Sequence, residues 1–212
     1  MLHRHNDIRD LIHSFCMRAR LNPELEKAGL LEDESIMVDL RRPADVLVDS
    51  LSNRTRSSRM WSKTALDVKV IHGLGQSHLE ASRGDGLAAA EIYRQQQIEH
   101  LRTGELCAAQ DISYQPLVFS AQGGCERHAE ALISQIAKSI AKCENSSTME
   151  VKAEMMQCIS LSLARSATKA IDRRRSLHCT ASWVRARRQQ SDALVDVDVA
   201  MGADCVWIGI YP

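Results

Sequence analysis

The spacing of apolar residues predicts that the chain opens with a helix. Over residues 4–20, Ile8, Leu11, Ile12, Phe15 and Cys16 recur at helical intervals, with Arg, Asp and His opposite. Asn6 or Asp7 stands where an N-cap belongs, and Asn22-Pro23 ends or redirects the helix. Glu24–Leu31 reads as a turn or short helical segment closing near Gly29. Three β-type runs follow at Ser35–Leu40, Ala44–Val48 and Ala65–Ile71. The last two are joined by a long polar connection over 49–63. Four glycines between residues 72 and 86 mark a linker. Leu87–Ala109 carries an uneven apolar stripe and is expected as one long helix. Ser113–Phe119 is a further strand, and Pro116 suggests an edge or a bulge.

Gln122-Gly123-Gly124 breaks the chain before a helix at about 125–143, with Ala129, Leu132, Ile133, Ile136 and Ile140 on one face. Ser147-x-x-Glu150 is a capping-box pattern that opens another helix, expected to run to about Arg174. From Ser176 the periodicity weakens, and the tail is open between one or two strands and an appended segment. A strand, a long helix and a strand in succession imply a parallel crossover. The expected fold is therefore α/β: a mixed central sheet of about four strands flanked by helices, with C-terminal helices. Residues 1–175 form the expected domain and 176–212 a tail.

Composition adds exclusions. At 212 residues, 44% hydrophobic and 25% charged, the chain has the make-up of a globular domain. Its 27 basic and 27 acidic residues balance, so any attraction to nucleic acid must come from local patches. Aromatics at 4% are too few for a base-stacking platform. Seven widely spread cysteines with no C-x-x-C pair argue against zinc ligation. They fit reduced thiols in an intracellular compartment. No apolar run approaches a membrane span.

The chemistry concentrates between Arg41 and Ile71. Asp45 and Asp67 each sit among apolar neighbours in a β-type run, and period-two alternation puts Lys69 on the face of Asp67. Two carboxylates, the Val68 carbonyl and a lysine are a candidate Mg²⁺ site for phosphodiester hydrolysis. Lys69 would orient or deprotonate the attacking water or stabilise developing phosphate charge. The plainer alternative is a pair of strand-end aspartates beside an exposed strand lysine. Arg54, Arg56, Arg59 and Lys63 in the connection are either contacts to a phosphate backbone or a solvated loop. His5, His100 and His128 read as helix-surface or capping residues, and Arg173–Arg175 as complements to a helix dipole.

Arg42-Pro43-Ala44-Asp45-Val46 followed by Ala65-Leu66-Asp67-Val68-Lys69-Val70 resembles the PD-(D/E)xK restriction-endonuclease-like core. More closely, the chain resembles the endonuclease-like domains adjoining reverse transcriptases in non-LTR retroelement proteins. Further agreement comes from Arg4-His5-Asn6, Arg9-Asp10-Leu11 and Leu25–Leu31. It continues through Tyr93, His100, Cys107, Pro116-Leu117-Val118, Gly123-Gly124 and Ser160–Arg165, so that residues 4–175 are covered. The resemblance implies a restriction-endonuclease-like fold and a Mg²⁺- or Mn²⁺-dependent DNA endonuclease, or a catalytically decayed nucleic-acid-binding or structural remnant. It makes Asp45 and Asp67 metal ligands, Lys69 the catalytic lysine and Glu26 a further acidic member. It also implies DNA and the reverse-transcriptase domain of a parent polyprotein as partners; no membrane partner is expected, and the expected location is intracellular, with the nucleus among its compartments. One position departs: where retroelement-type domains carry a helix lysine after the tyrosine, this chain has Gln97.

Overall fold

The computed structural model describes residues 2–27, 30–31, 44–49, 51, 61–72, 85, 87–121 and 123–201. Helix α1 (Leu2–Arg18) is followed by a two-residue strand β1 (Glu24–Leu25), then β2 (Val46–Asp49) and β3 (Lys63–Ile71). Helix α2 (Ala88–Glu99), a 3₁₀ turn (His100–Arg102) and α3 (Thr103–Ala109) lead to β4 (Ile112–Ser120). Helices α4 (Arg127–Glu144) and α5 (Thr148–Met201) complete the chain.

The strands lie in the order β1-β2-β3-β4. β2 runs antiparallel to both β1 and β3, in register Val46 with Leu66, whereas β4 runs parallel to β3 with Asp67 opposite Pro116. The mixed sheet and the parallel crossover are as expected, with α2 and α3 inside the crossover. Pro116 sits on the edge strand, where a missing N–H is tolerated.

Alternation along the strands divides the core. Val46, Val48, Leu66, Val68, Leu117 and Phe119 face α1, α4 and α5 in one large apolar cluster. The opposite face carries two smaller clusters. One gathers Leu30, Leu31, Ala44, Leu47, Ala65, Cys107 and Ile112. The other gathers Ile71, Ala89, Ala90 and Val118, with Tyr93 packed on it. Between them along β3 fall Asp67 and Lys69.

Several expectations need correction. The segment after Pro23 forms strand β1 where a turn or helical piece was expected. The helix over Leu87–Ala109 is two helices, because Arg102 takes a left-handed conformation (φ 56°) and Gly104 brings α3 against Ile98. A Cβ on Gly104 would stand 3.0 Å from Ile98 Cγ2. The helix expected to end near Arg174 continues to Met201, so the 176–201 part of the tail is helical rather than stranded. Lys63 begins β3 instead of lying in the connection, and its Nζ is 3.6 Å from Glu24 Oε1. The expected strand Ser35–Leu40 and Arg54, Arg56 and Arg59 lie outside the described residues.

The chain divides into two compact units, Met1–Ala167 and Thr168–Pro212. The boundary comes earlier than the expected one at residue 175. The buried residues all belong to the first unit among those whose side chains are described.

Candidate active site

Asp67 is 6% exposed in the middle of β3, on the face shared with Lys69. Its Oδ1 lies 2.8 Å from Lys69 Nζ, and its Oδ2 accepts a 2.7 Å hydrogen bond from the Tyr114 hydroxyl on β4. Tyr114 pairs with Ala65 in the parallel register, so its side chain rises on the same face two positions below Asp67.

Asp45 reaches this point by a bend immediately before β2. Ala44 belongs to one face of the sheet and Val46 to the other, so regular alternation fails at this residue. Asp45 N–H donates to Leu66 O at 3.0 Å, and Asp45 Oδ2 accepts from Val68 N–H at 2.7 Å. Asp45 thus bonds the backbone on both sides of Asp67. Its remaining oxygen, Oδ1, is 3.1 Å from His5 Nε2 on α1. In an extended strand a residue's N–H and C=O point the same way, so the Val68 carbonyl also faces the Asp45 side.

Glu26 stands beside the pair. Its N–H donates to Asp45 O at 3.0 Å, and its Oε1 accepts from Arg9 Nη1 on α1. Glu26 holds φ at 44°, an uncommon conformation for a residue with a Cβ, and its carboxylate is directed to Arg9.

The two aspartates are electrostatically unlike. Burial opposes ionisation of Asp45, but the His5 hydrogen bond and charge, the Val68 N–H and the Lys69 charge outweigh it and hold its pKa below the ordinary value. At Asp67 burial prevails over Lys69 and Tyr114, and the neighbouring Asp45 charge adds to it, so its pKa is raised. His5 is raised by its hydrogen bond to Asp45. Burial disfavours the Lys69 ammonium, yet the charge and hydrogen bond of Asp67 hold its pKa up, with smaller help from Asp45 and Tyr93. Lys69 is therefore a cation at neutral pH, suited to charge stabilisation and unsuited to removing a proton.

The structure brings together Asp45, Asp67, Lys69 and the Val68 backbone, with Glu26 adjoining through its N–H bond to Asp45 O. Lys63 pairs with Glu24 on β1, apart from this constellation. His5 and Tyr114 hold the two aspartates, although His5 reads from sequence as a helix-surface residue and Tyr114 as a strand residue without a role. The sequence signal for His5 is its position one turn before Arg9 on α1; Tyr114 has none short of the β3–β4 register. Gln97 lies one turn after Tyr93 on α2.

Asp45, Asp67 and the Val68 carbonyl are hard oxygen donors of the kind a magnesium ion takes alongside water and substrate phosphate. Among the described residues no group of three or more His, Cys, Asp and Glu is arranged to hold a metal ion. Among the described residues the donor set comprises two carboxylates, within the one or two that suffice for magnesium. Cys16, Cys107 and Cys125 are buried free thiols. Burial pushes Cys16 up to about 12 and Cys107 and Cys125 up to about 11. Among the described residues no helix is long and apolar enough to cross a membrane.

No protein-family model and no curated protein sequence matches this chain.

Proposed function

We propose that the protein is a Mg²⁺- or Mn²⁺-dependent endonuclease-like domain acting on DNA by phosphodiester hydrolysis, of the retroelement-associated type its motifs resemble. The observation that carries the reading is that Asp45, in the bend before β2, bonds the β3 backbone on both sides of Asp67, with Lys69 Nζ 2.8 Å from Asp67 at a gap between two apolar clusters. A divalent ion there would supply an acidified water and neutralise phosphate charge. In this reading Asp45, Asp67 and the Val68 carbonyl hold the ion. Lys69, fixed as an ammonium, meets negative charge that grows on the phosphate. His5 and Tyr114 keep the carboxylates oriented, and Glu26 holds Arg9 beside them. DNA and the reverse-transcriptase domain of a parent polyprotein are the partners this reading implies, in an intracellular setting.

The test is nicking of supercoiled DNA by the purified chain with and without Mg²⁺ or Mn²⁺. Metal-dependent nicking is expected, and Asp67→Ala is expected to lower it about a thousandfold, a loss of several kcal/mol of charge stabilisation. Metal-independent nicking, or equal nicking by Asp67→Ala, would remove the proposal.

A second reading, a catalytically silent nucleic-acid-binding relative of the same fold, draws on one observation. All four carboxylate oxygens of Asp45 and Asp67 already have partners within the protein, one of them a lysine ammonium. Calorimetry separates the two: metal binding lost in Asp67→Ala favours the enzyme, and no metal binding by the wild type favours the silent domain.

A further inference from the structure

Cations crowd the middle of α5, where acids are few. Several surface cations face acids: Arg18 bonds both Glu144 and Glu154, Arg127 meets Glu91, and near the start of α5 itself Lys152 meets Glu130. Between residues 165 and 188 the sequence has eight Lys and Arg against the single acid Asp172. That local excess of seven positive charges is balanced by the rest of a chain whose total is zero. Arg165, Lys169, Arg173, Arg174 and Arg175 are all exposed.

Dipole compensation does not account for them. The helix continues to Met201, so these residues stand in its interior, beyond the reach of a C-terminal dipole that acts within the last turn. Nor does helix stability: Arg165, Lys169 and Arg173 follow one another at intervals of four, where like charges repel. Angular placement then narrows the partner. At 100° per residue the first three span a narrow arc, and Arg174 and Arg175 carry the charge to two further sides. A helix lying on a membrane needs an apolar face opposite its cations. In this stretch Ile171 is 54% exposed, and its neighbours at three and four positions onward are Arg174 and Arg175. A helix lying in the major groove of a duplex meets phosphates on both flanks, which suits cations on several sides.

We infer that the 165–175 stretch of α5 is a duplex nucleic-acid binding helix, with Lys169, Arg173, Arg174 and Arg175 contacting backbone phosphates. The site lies outside the Asp45–Asp67 constellation and needs no divalent ion, so its failure and that of the hydrolysis reading are separable.

The experiment is fluorescence anisotropy of a short labelled DNA duplex of arbitrary sequence with the full chain. It is run in chelator from about 50 to about 200 mM salt. Sequence-independent binding that weakens steeply with salt is expected. The variant Lys169→Gln/Arg173→Gln/Arg174→Gln/Arg175→Gln, shown by circular dichroism to keep its helix, is expected to bind at least about tenfold more weakly. Its log–log salt slope should be shallower by about 3–4. Wild-type chain that does not bind, or a variant with unchanged affinity and slope, would overturn the inference. So would a preference for phosphatidylserine–phosphatidylcholine vesicles over DNA. Sedimentation supplies the last arm: if the substitutions dissolve an oligomer without changing DNA affinity, the cations pair with acids of a second copy, and the assignment falls.

Discussion

At the scale of single residues, the site is two carboxylates given opposite tendencies by their surroundings. Asp45 is held ionised by His5 and the Val68 N–H, while burial pulls Asp67 towards its protonated form. The pair should leave a signature in stability against pH. His5 has a folded pKa above its ordinary 6.5, so its contribution is complete below 6.5 and is lost as pH rises through the folded value. Asp45 has a folded pKa below 3.8, so its contribution is present above 3.8 and lost as pH falls through the folded value. The melting-temperature difference between wild type and His5→Gln should therefore be largest between those two limits and shrink on either side. A pH-independent difference would count against the interaction. Tyr114→Phe keeps the ring and removes the donor to a buried carboxylate, which should cost about 1.5–3 kcal/mol at neutral pH by urea unfolding. Because Asp67 takes up its proton above the ordinary carboxylate range, the deficit should diminish as pH falls through that raised value. The Asp67–Lys69 relation was legible in sequence because strand alternation is a local rule. The position of Asp45 was not legible by that rule, since its bend breaks the alternation. His5 and Tyr114 depended on register and helix docking, which no local pattern encodes.

At the scale of elements, end signals and interiors behaved differently. Helix α4 starts where Gly123-Gly124 predicts a break, and Glu126 supplies its N-cap by accepting from His128 N–H and Ala129 N–H. Glu126 is 1% exposed and lies 3.7 Å from Arg94 on α2, so one side chain caps a helix and neutralises a cation from the crossover. Glu126→Ala should cost about 2 kcal/mol in urea unfolding, from the lost cap together with the stranded arginine. A change below about 0.5 kcal/mol would show that the cap is dispensable. The split between α2 and α3 was missed because both halves share one apolar stripe. The break depends on Gly104 packing against Ile98, a contact between turns. The extension of α5 past Arg174 was missed for a different reason: charge interrupts the apolar period there, while the backbone stays helical.

At the scale of the whole molecule, the described core lies within one of the two compact units. The first, Met1–Ala167, contains the sheet and every described buried residue through Leu163 and Ser166. A chain ending at residue 167 should keep its cooperative melting transition and move by less than about 4 °C, equivalent to about 1 kcal/mol. Scanning calorimetry checks this, and loss of the transition would mean that the core extends past the boundary.

The α/β class, the mixed sheet and the parallel crossover followed from residue order, while Pro116 left an edge strand or a bulge open until the strand order placed it at the edge. Hydrophobic periodicity and turn residues act over a few positions, and crossover handedness limits how successive elements can join. The motif around Asp67 and Lys69 followed as well. Assembly in three dimensions was needed for the rest, because each remaining feature joins residues distant in the chain. His5 comes to Asp45 across 40 positions and Tyr114 to Asp67 across 47, through the docking of α1 and the β3–β4 register. The opposite protonation tendencies of the two aspartates likewise arise from burial and neighbouring charge, properties that a residue acquires only when the sheet closes around it.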